Sequence, residues 1–299
     1  MAEIDLTSLP APDAIELLDF ETIFERKKAA LIELCPDETR ASIAATLELE
    51  SEPLTIDLQQ QAYQELLLRQ RINEATAANM LALAAGSDLD HIAARAGLER
   101  KLIAPAQPEA DPPAEAVWET DKALRRRVQL HPEKYAAAGP GAAYVAHALD
   151  AHSDVADARA VRPVAGTVRV YIKSHRGSGV PSAALINTVR DYLSGEERRP
   201  LCDTVEVQGG RAKAIAISYR TTYEDGPDKA LVAAKQREDL NAVLADNHGL
   251  GVTIALSKII GALDVVGAHK VELISPTADI VCADNEFISI SAITAAEAV

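Results

Sequence analysis

Asp150, His152, Asp154 and Asp157 are the residues whose types and proximity come nearest to a chemical site in this sequence. Held in a loop, their carboxylates and imidazole could offer oxygen and nitrogen ligands to a metal ion. Spacing alone enforces no geometry, and His147 and His152 would have to be placed by something other than a motif. Acidic residues between a helix and a strand ordinarily close turns and cap helix ends, and that is the reading adopted for this cluster. Gly177-Ser178-Gly179 and Gly139-Pro140-Gly141 are rich in glycine. Neither follows a strand and carries the Lys-Ser/Thr pair or third glycine of a phosphate-binding fingerprint, so both read as turns. The chain contains no Gly-x-Ser-x-Gly elbow, no His-Glu-x-x-His and no aspartate-rich calcium loop. The expectation is therefore no catalytic, cofactor-binding or metal-binding residue, no cofactor, and no enzymatic activity.

Composition narrows the partners. Thirty Lys and Arg face 45 Asp and Glu, a net charge of −15 that repels a phosphate backbone. The densest basic run, Arg125-Arg126-Arg127, is expected on a helix, where consecutive side chains diverge and pair with nearby carboxylates. With only 4% aromatic residues there are few stacking platforms for single strands. Nucleic acid is excluded as a partner on these grounds. Cys35, Cys202 and Cys282 have no Cys-x-x-Cys spacing and read as reduced thiols. Glu3 and Asp5 stand where a secretory signal needs positive charge, and no apolar run approaches the roughly 20 residues that span a bilayer. These features predict folding in a cytoplasm without membrane insertion.

The elements that would position such residues fall into two styles. Residues 1–104 are rich in helix formers at helical spacing. A first helix is expected from Asp13 to about Leu34, ending before Cys35-Pro36, and Asp37 is expected to cap a second. The strongest signal is a long helix over 53–85, with Pro53 in its first turn and Gly86 as its C-terminal cap. Leu54, Leu58, Ala62 and Leu66 form one stripe along it, and Leu68, Ile72, Ala75, Asn79 and Ala82 a second. One stripe packs within the chain; the other is either sandwiched in the same domain or open to another chain. A short helix over Asp88 to Ala96, stopped by Gly97, is followed by a proline-rich linker, 105–117, containing Pro105, Pro108, Pro112 and Pro113.

A connecting segment, 118–152, reads as helix from Trp118 to Val128 and again after Gly139-Pro140-Gly141. Beyond it come two small α+β domains, 153–210 and 211–299, with mostly antiparallel strands. In the first, Val164 to Ser174 alternates as a strand and Ser182 to Ser194 is helical. Thr204 to Val207 and Ala212 to Tyr223 read as strands separated by a turn at Gly209-Gly210. The second has helices at Asp228 to Asp246 and Leu256 to Leu263, and strands at Ala268 to Ile274 and Glu286 to Ser291. The fold class is thus α+β and multidomain, with a helical N-terminal half.

Phrases along nearly the whole chain resemble the baseplate J family of contractile-tailed phages, the gene J product-like proteins. They include IDLTSLPAPDAIELLDFETIFERKKAALI, LELESEPL, AYQELLLRQRINEA and MLALAAGSDLDHIAARAGLERK. After the prolines follow ETDKALRRRVQL, YAAAGPGAAYVAHAL, GTVRVYI, Arg198-Arg199-Pro200 and VELISPTADIV, in the same order. The proline-rich segment and the extreme C-terminus depart most from the family pattern.

This resemblance implies a structural wedge subunit of a tail baseplate, either in an infectious phage or in an R-type phage-tail-like bacteriocin. A second copy and a companion wedge protein, gene I product-like, would meet it in a bundle of long helices. The sheath-initiator and hub proteins would be neighbours, and the C-terminal domains would join wedges into a ring that rearranges on contraction. On that basis Leu58, Leu66, Ile72 and Ala75 are the expected bundle contacts. Two copies sharing one companion occupy unlike environments, so hinges are expected at Pro105 and Pro108 and at Gly139 and Gly141. Two other readings are carried: a metal-dependent cell-envelope hydrolase built on Asp150–Asp157, and an assembly scaffold that leaves the finished particle.

Overall fold

The computed structural model describes residues 6, 9–10, 12–135, 139–196 and 198–297. Glu3 and Asp5 lie outside the described residues. The chain forms two compact units. One holds the described residues up to Arg100 together with Asp121–Arg125; the other holds Lys101–Thr120 and the described residues from Arg126 onward.

The first unit is helical. Its first helix, α1, spans Phe20–Leu34 and starts later than the sequence suggests, because Asp19 accepts a hydrogen bond from the Thr22 backbone N–H at 2.7 Å and caps it. Residues before Asp19 are held non-helically instead: Asn73 accepts from the Glu16 N–H at 3.1 Å and donates to the Glu16 carbonyl at 2.9 Å. Helix α2 is Asp37–Leu47, with Asp37 as its first residue and Pro36 in the capping position. Helix α3 covers Pro53–Ala78, about 39 Å at 1.5 Å per residue. It stops seven residues short of the expected Ala85, and Gly86 opens the next helix, α4 (Gly86–Arg95), instead of closing α3. Gly97, at φ 66°, then ends α4 while the Leu98 N–H returns to the Ala93 carbonyl, as a left-handed C-terminal cap requires. Ile23 and Phe24 of α1, Leu47 of α2, and Leu58 and Ala62 of α3 form this unit's core.

In the second unit β1 (Leu102–Ala104) pairs antiparallel with β2 (Val117–Trp118). The proline-rich stretch between them is no extended linker: Gln107 and Ala114 exchange backbone hydrogen bonds at 2.8 and 3.0 Å and fold it back on itself. Trp118, expected in a helix, lies in β2, because Glu119 is engaged by Lys101 through both its backbone and its carboxylate. Helix α5 accordingly begins at Asp121 and runs to Leu130, its first five residues belonging to the other unit.

Helix α6 (Gly141–Ala151) leads into a hairpin of β3 (Val155–Val164) and β4 (Thr167–Ser174). Strand β3 has no counterpart among the expected elements; its start overlaps the acidic cluster read as a loop. Helix α7 (Ala183–Leu193) then carries the chain to β5 (Thr204–Gly209), which lies parallel to β4. Gly209, expected in a turn, is the last residue of β5, and Gly210 alone separates it from the next strand. Strand β6 (Arg211–Tyr223) turns instead into a second sheet, of order β10-β6-β8. Helices α8 (Lys229–Asp246) and α9 (Leu256–Leu263) precede β8 (Ala268–Ser275), while β10 (Glu286–Glu297) runs parallel to β6. Short strands β7 (Thr253–Ile254) and β9 (Ile280–Val281) form an antiparallel pair. Most of these ladders are antiparallel, and each three-stranded sheet adds one parallel pair. Two separate cores result: Tyr144, Val170, Ile172 and Val189 anchor the first, and Ile217, Tyr219, Leu240 and Ile259 the second.

Candidate partner interface

Helix α3 carries apolar side chains all round, and only one side of it is covered. Thr55, Leu58, Ala62 and Asn73 are buried, and Leu66 packs partly against the same core. At 100° per residue these positions share one face. Ile56, Tyr63 and Leu67 fall on one flank of it, Leu54, Leu68, Ile72 and Ala75 on the other. Leu68 and Ile72 are 67% and 61% exposed, so that most of each side chain is in water. Such a face on a 26-residue helix is what a partner would cover. Among the expected contacts Leu66, partly buried, sits on the covered face toward Ile56, Tyr63 and Leu67, while Ile72 and Ala75 lie on the open flank. Leu58 does not: it is 6% exposed and already committed to the α1–α3 core.

A groove of about 350 Å3 runs beside this flank, lined by Ala14, Glu16, Glu65, Leu68, Arg69, Ile72 and Asn73. Its charges are matched internally. Glu65 accepts from Arg69 Nε at 2.9 Å and pairs with Lys27 Nζ at 3.0 Å and with Arg26. Hydrogen bonding from Lys27 and then Arg26 lowers its pKa to about 2. Arg69 also reaches Glu16 at 2.5 Å. The groove thus offers apolar surface without an unmatched charge beside it, and Leu17, next in the chain to the lining residue Glu16, is fully exposed.

The acidic cluster is spent on structure. Burial would raise the Asp150 pKa, but the Lys134 hydrogen bond and the charges of Lys134 and Arg127 outweigh it and lower the value. Arg127 Nε lies 3.2 Å from Asp150, and its Nη1 lies 2.6 Å from buried Glu119. Asp154 accepts from Ser174 Oγ at 3.0 Å, and its own N–H donates to His152 Nδ1 at 3.0 Å. Asp157 pairs with Arg126 at 2.7 Å. Among the described residues no group of three or more His, Cys, Asp or Glu side chains could hold a metal ion. Of the arginine run, Arg126 and Arg127 meet carboxylates, whereas Arg125 donates to the Leu81 and Ala84 carbonyls at 2.7 and 2.6 Å and ties down the turn after α3.

Pro105, Pro108, Gly139 and Gly141 all fall inside the second unit, while the chain passes between units at 100–101, 120–121 and 125–126. Gly139 is closely packed, since a Cβ there would lie 2.7 Å from Pro200 Cγ.

Residues 50–107 match the baseplate J-like N-terminal domain, 136–209 the baseplate J-like central domain, and 215–296 the baseplate J-like protein C-terminal domain. Baseplate protein J of Escherichia phage P2 is 42% identical over 281 residues, covering 94% of this chain and 93% of the phage protein. A chain of the cryo-EM structure of the anti-feeding prophage baseplate, six-fold symmetrised, aligns with a TM-score of 0.41 and 12% identity, over 60% of this chain and 44% of that one. Identity of this level along almost the full length, with three domains matched in order, shows that the chain belongs to the baseplate J-like family.

Proposed function

We propose that this chain is a structural wedge subunit of the baseplate of a contractile phage tail or phage-tail-like particle. In this reading α3 forms a helical bundle with a second copy and a companion wedge protein, and the C-terminal domains join wedges into a ring around the hub. The observation that supports it is the uncovered apolar flank Leu68–Ile72–Ala75 with its charge-matched groove. Burying on the order of 1,000 Å2 of apolar surface there corresponds to roughly 25 kcal/mol at 25 cal/mol per Å2. Against it stand the roughly 4–15 kcal/mol of freedom lost on association, side-chain ordering and polar desolvation, so the burial would offset much of the cost of association.

No helix of the described residues is long and apolar enough to cross a membrane. The family's place in a tail baseplate fits assembly in a host cytoplasm, followed by residence in the finished particle.

Light scattering on the chain co-expressed with the companion wedge protein tests the reading. Two copies of this chain to one companion is the expected stoichiometry; a monomer that ignores the companion would overturn it. Mass spectrometry of purified particles separates a resident subunit from a departing scaffold, which would be missing from them.

A further inference from the structure

The two α+β domains have separate apolar cores that share no residue, yet they belong to one compact unit. Beside buried Leu250 and Phe287, which pack against Gly210 and Gly179, what joins them is polar. Asp157 of β3, 8% exposed, accepts from the Leu250 N–H at 2.7 Å through Oδ2, while its Oδ1 takes Arg126 Nη1 at 2.7 Å. Lys173 of β4, also 8% exposed, donates through Nζ to the His248 carbonyl at 2.7 Å and lies 4.7 Å from the centroid of the Phe287 ring. Burial lowers its pKa. At the margin Arg159 Nε reaches Asp284 Oδ1 at 2.7 Å. The chain segment between the domains is tied as well, with the Gly210 N–H on the Ile172 carbonyl at 2.8 Å and the Arg211 N–H on the Asn285 carbonyl at 2.7 Å.

These contacts bring backbone close to side chain, and glycine makes that possible. A Cβ on Gly251 would lie 2.7 Å from the Arg159 guanidinium carbon, and one on Gly210 would lie 2.8 Å from Leu250 Cδ2. Apolar surfaces can slide over one another, but hydrogen bonds from buried ionised groups are directional and costly to leave unmade. A half-opened joint would leave Asp157 Oδ2 without the Leu250 N–H, with only Oδ1 still held by Arg126 and the Ala158 N–H, and Lys173 without its carbonyl partner.

We infer that the loop His248–Gly251, clamped by Asp157 and Lys173, is a latch that fixes the two α+β domains in one orientation, so that they move as a single lever and bending takes place elsewhere in the chain. Asp157 and Lys173 are positioning residues in this device. The inference concerns the isolated chain and does not depend on the wedge reading.

Pulsed electron spin resonance on the full chain tests it. Labels are placed at Asn187 on α7 and Ala234 on α8, in a background with Cys35 and Cys202 replaced by serine. A single narrow distance distribution is expected, and a broad one would overturn the latch. Asp157→Asn should broaden it, and should speed hydrogen exchange at Leu250 by roughly tenfold to a hundredfold, the loss of one charge-assisted hydrogen bond. Protection of α7 and α8 amides confirms that both domains stay folded. Should Asp157→Asn fail to fold, Lys173→Met keeps the apolar stem and removes the bond to His248 together with the ammonium over the Phe287 ring, and the same broadening is expected. A folded variant of either kind with an unchanged distribution would show that the joint is set by something other than these residues.

Discussion

Asn73 and Glu16 stand 57 positions apart and exchange two hydrogen bonds, the Asn73 amide pairing with the Glu16 backbone as a neighbouring strand would. This pair turns a segment with helical composition into a strap alongside α3. Asn73→Ala leaves a backbone N–H and carbonyl without partners and should cost about 1–3 kcal/mol. Hydrogen exchange is the check: amides at 14–17 should lose protection while α1, capped independently by Asp19, keeps its own.

Position along α3 decides what a substitution does. Leu68→Asp and Ile72→Asp place charge on the open flank and should leave the fold intact while abolishing the proposed complex with a companion wedge protein. Leu58→Ala should instead lower the stability of the chain by about 2–5 kcal/mol, because it empties part of the α1–α3 core. Chemical denaturation and light scattering on the same three variants separate the two effects. Tight binding by a folded Ile72→Asp protein would rule out this face.

Acid should loosen the same region. Hydrogen bonds from Lys27 and Arg26 hold Glu65 near a pKa of about 2, below its ordinary 4.5. A depressed carboxylate contributes stability that is complete above about pH 4.5 and lost as pH falls toward 2. Glu65 is solvent-screened, so the effect should be small. It should appear as a flatter stability profile between pH 5 and pH 3 for Glu65→Gln than for the parent, measured by urea denaturation.

Lys101 acts in the alkaline range, with the same sign of slope. Burial, with the Arg127 charge, lowers its pKa to about 8 from 10.5. Between those values the unfolded chain binds more protons than the folded one, so stability should rise from pH 8 to pH 10.5. Lys101→Met should remove that rise. Equal slopes for the two proteins would mean that the ammonium is well solvated.

Local signals in the sequence place many of the elements, and long-range ones move the rest. Gly97, Pro36 and the alternation in Thr167–Ser174 are legible because their physics is contained in a few neighbouring residues. Strand β3 was obscured because Asp154 and Asp157 look like loop residues until Ser174, Arg126 and the Leu250 N–H are seen to satisfy them. The late start of α1 depends on Asn73, and the stop of α3 at Ala78 is accompanied by Arg125 binding the carbonyls of the following turn. The open flank of the candidate interface could be read as a second apolar stripe. That Leu58 belongs inside could not, since periodicity gives faces of a helix but not which one the chain covers.

In the proposed bundle, the matched charges around Glu65 would bear on how fast copies meet. A groove whose acids and bases already satisfy one another exerts little pull at a distance, so encounter there gains nothing from electrostatic steering. The whole chain, at −15, repels its own copies over roughly 10 Å at 0.1 M salt. Association between copies should therefore quicken as ionic strength rises, the reverse of a salt-bridged interface, and crowded conditions should favour it over dilute ones.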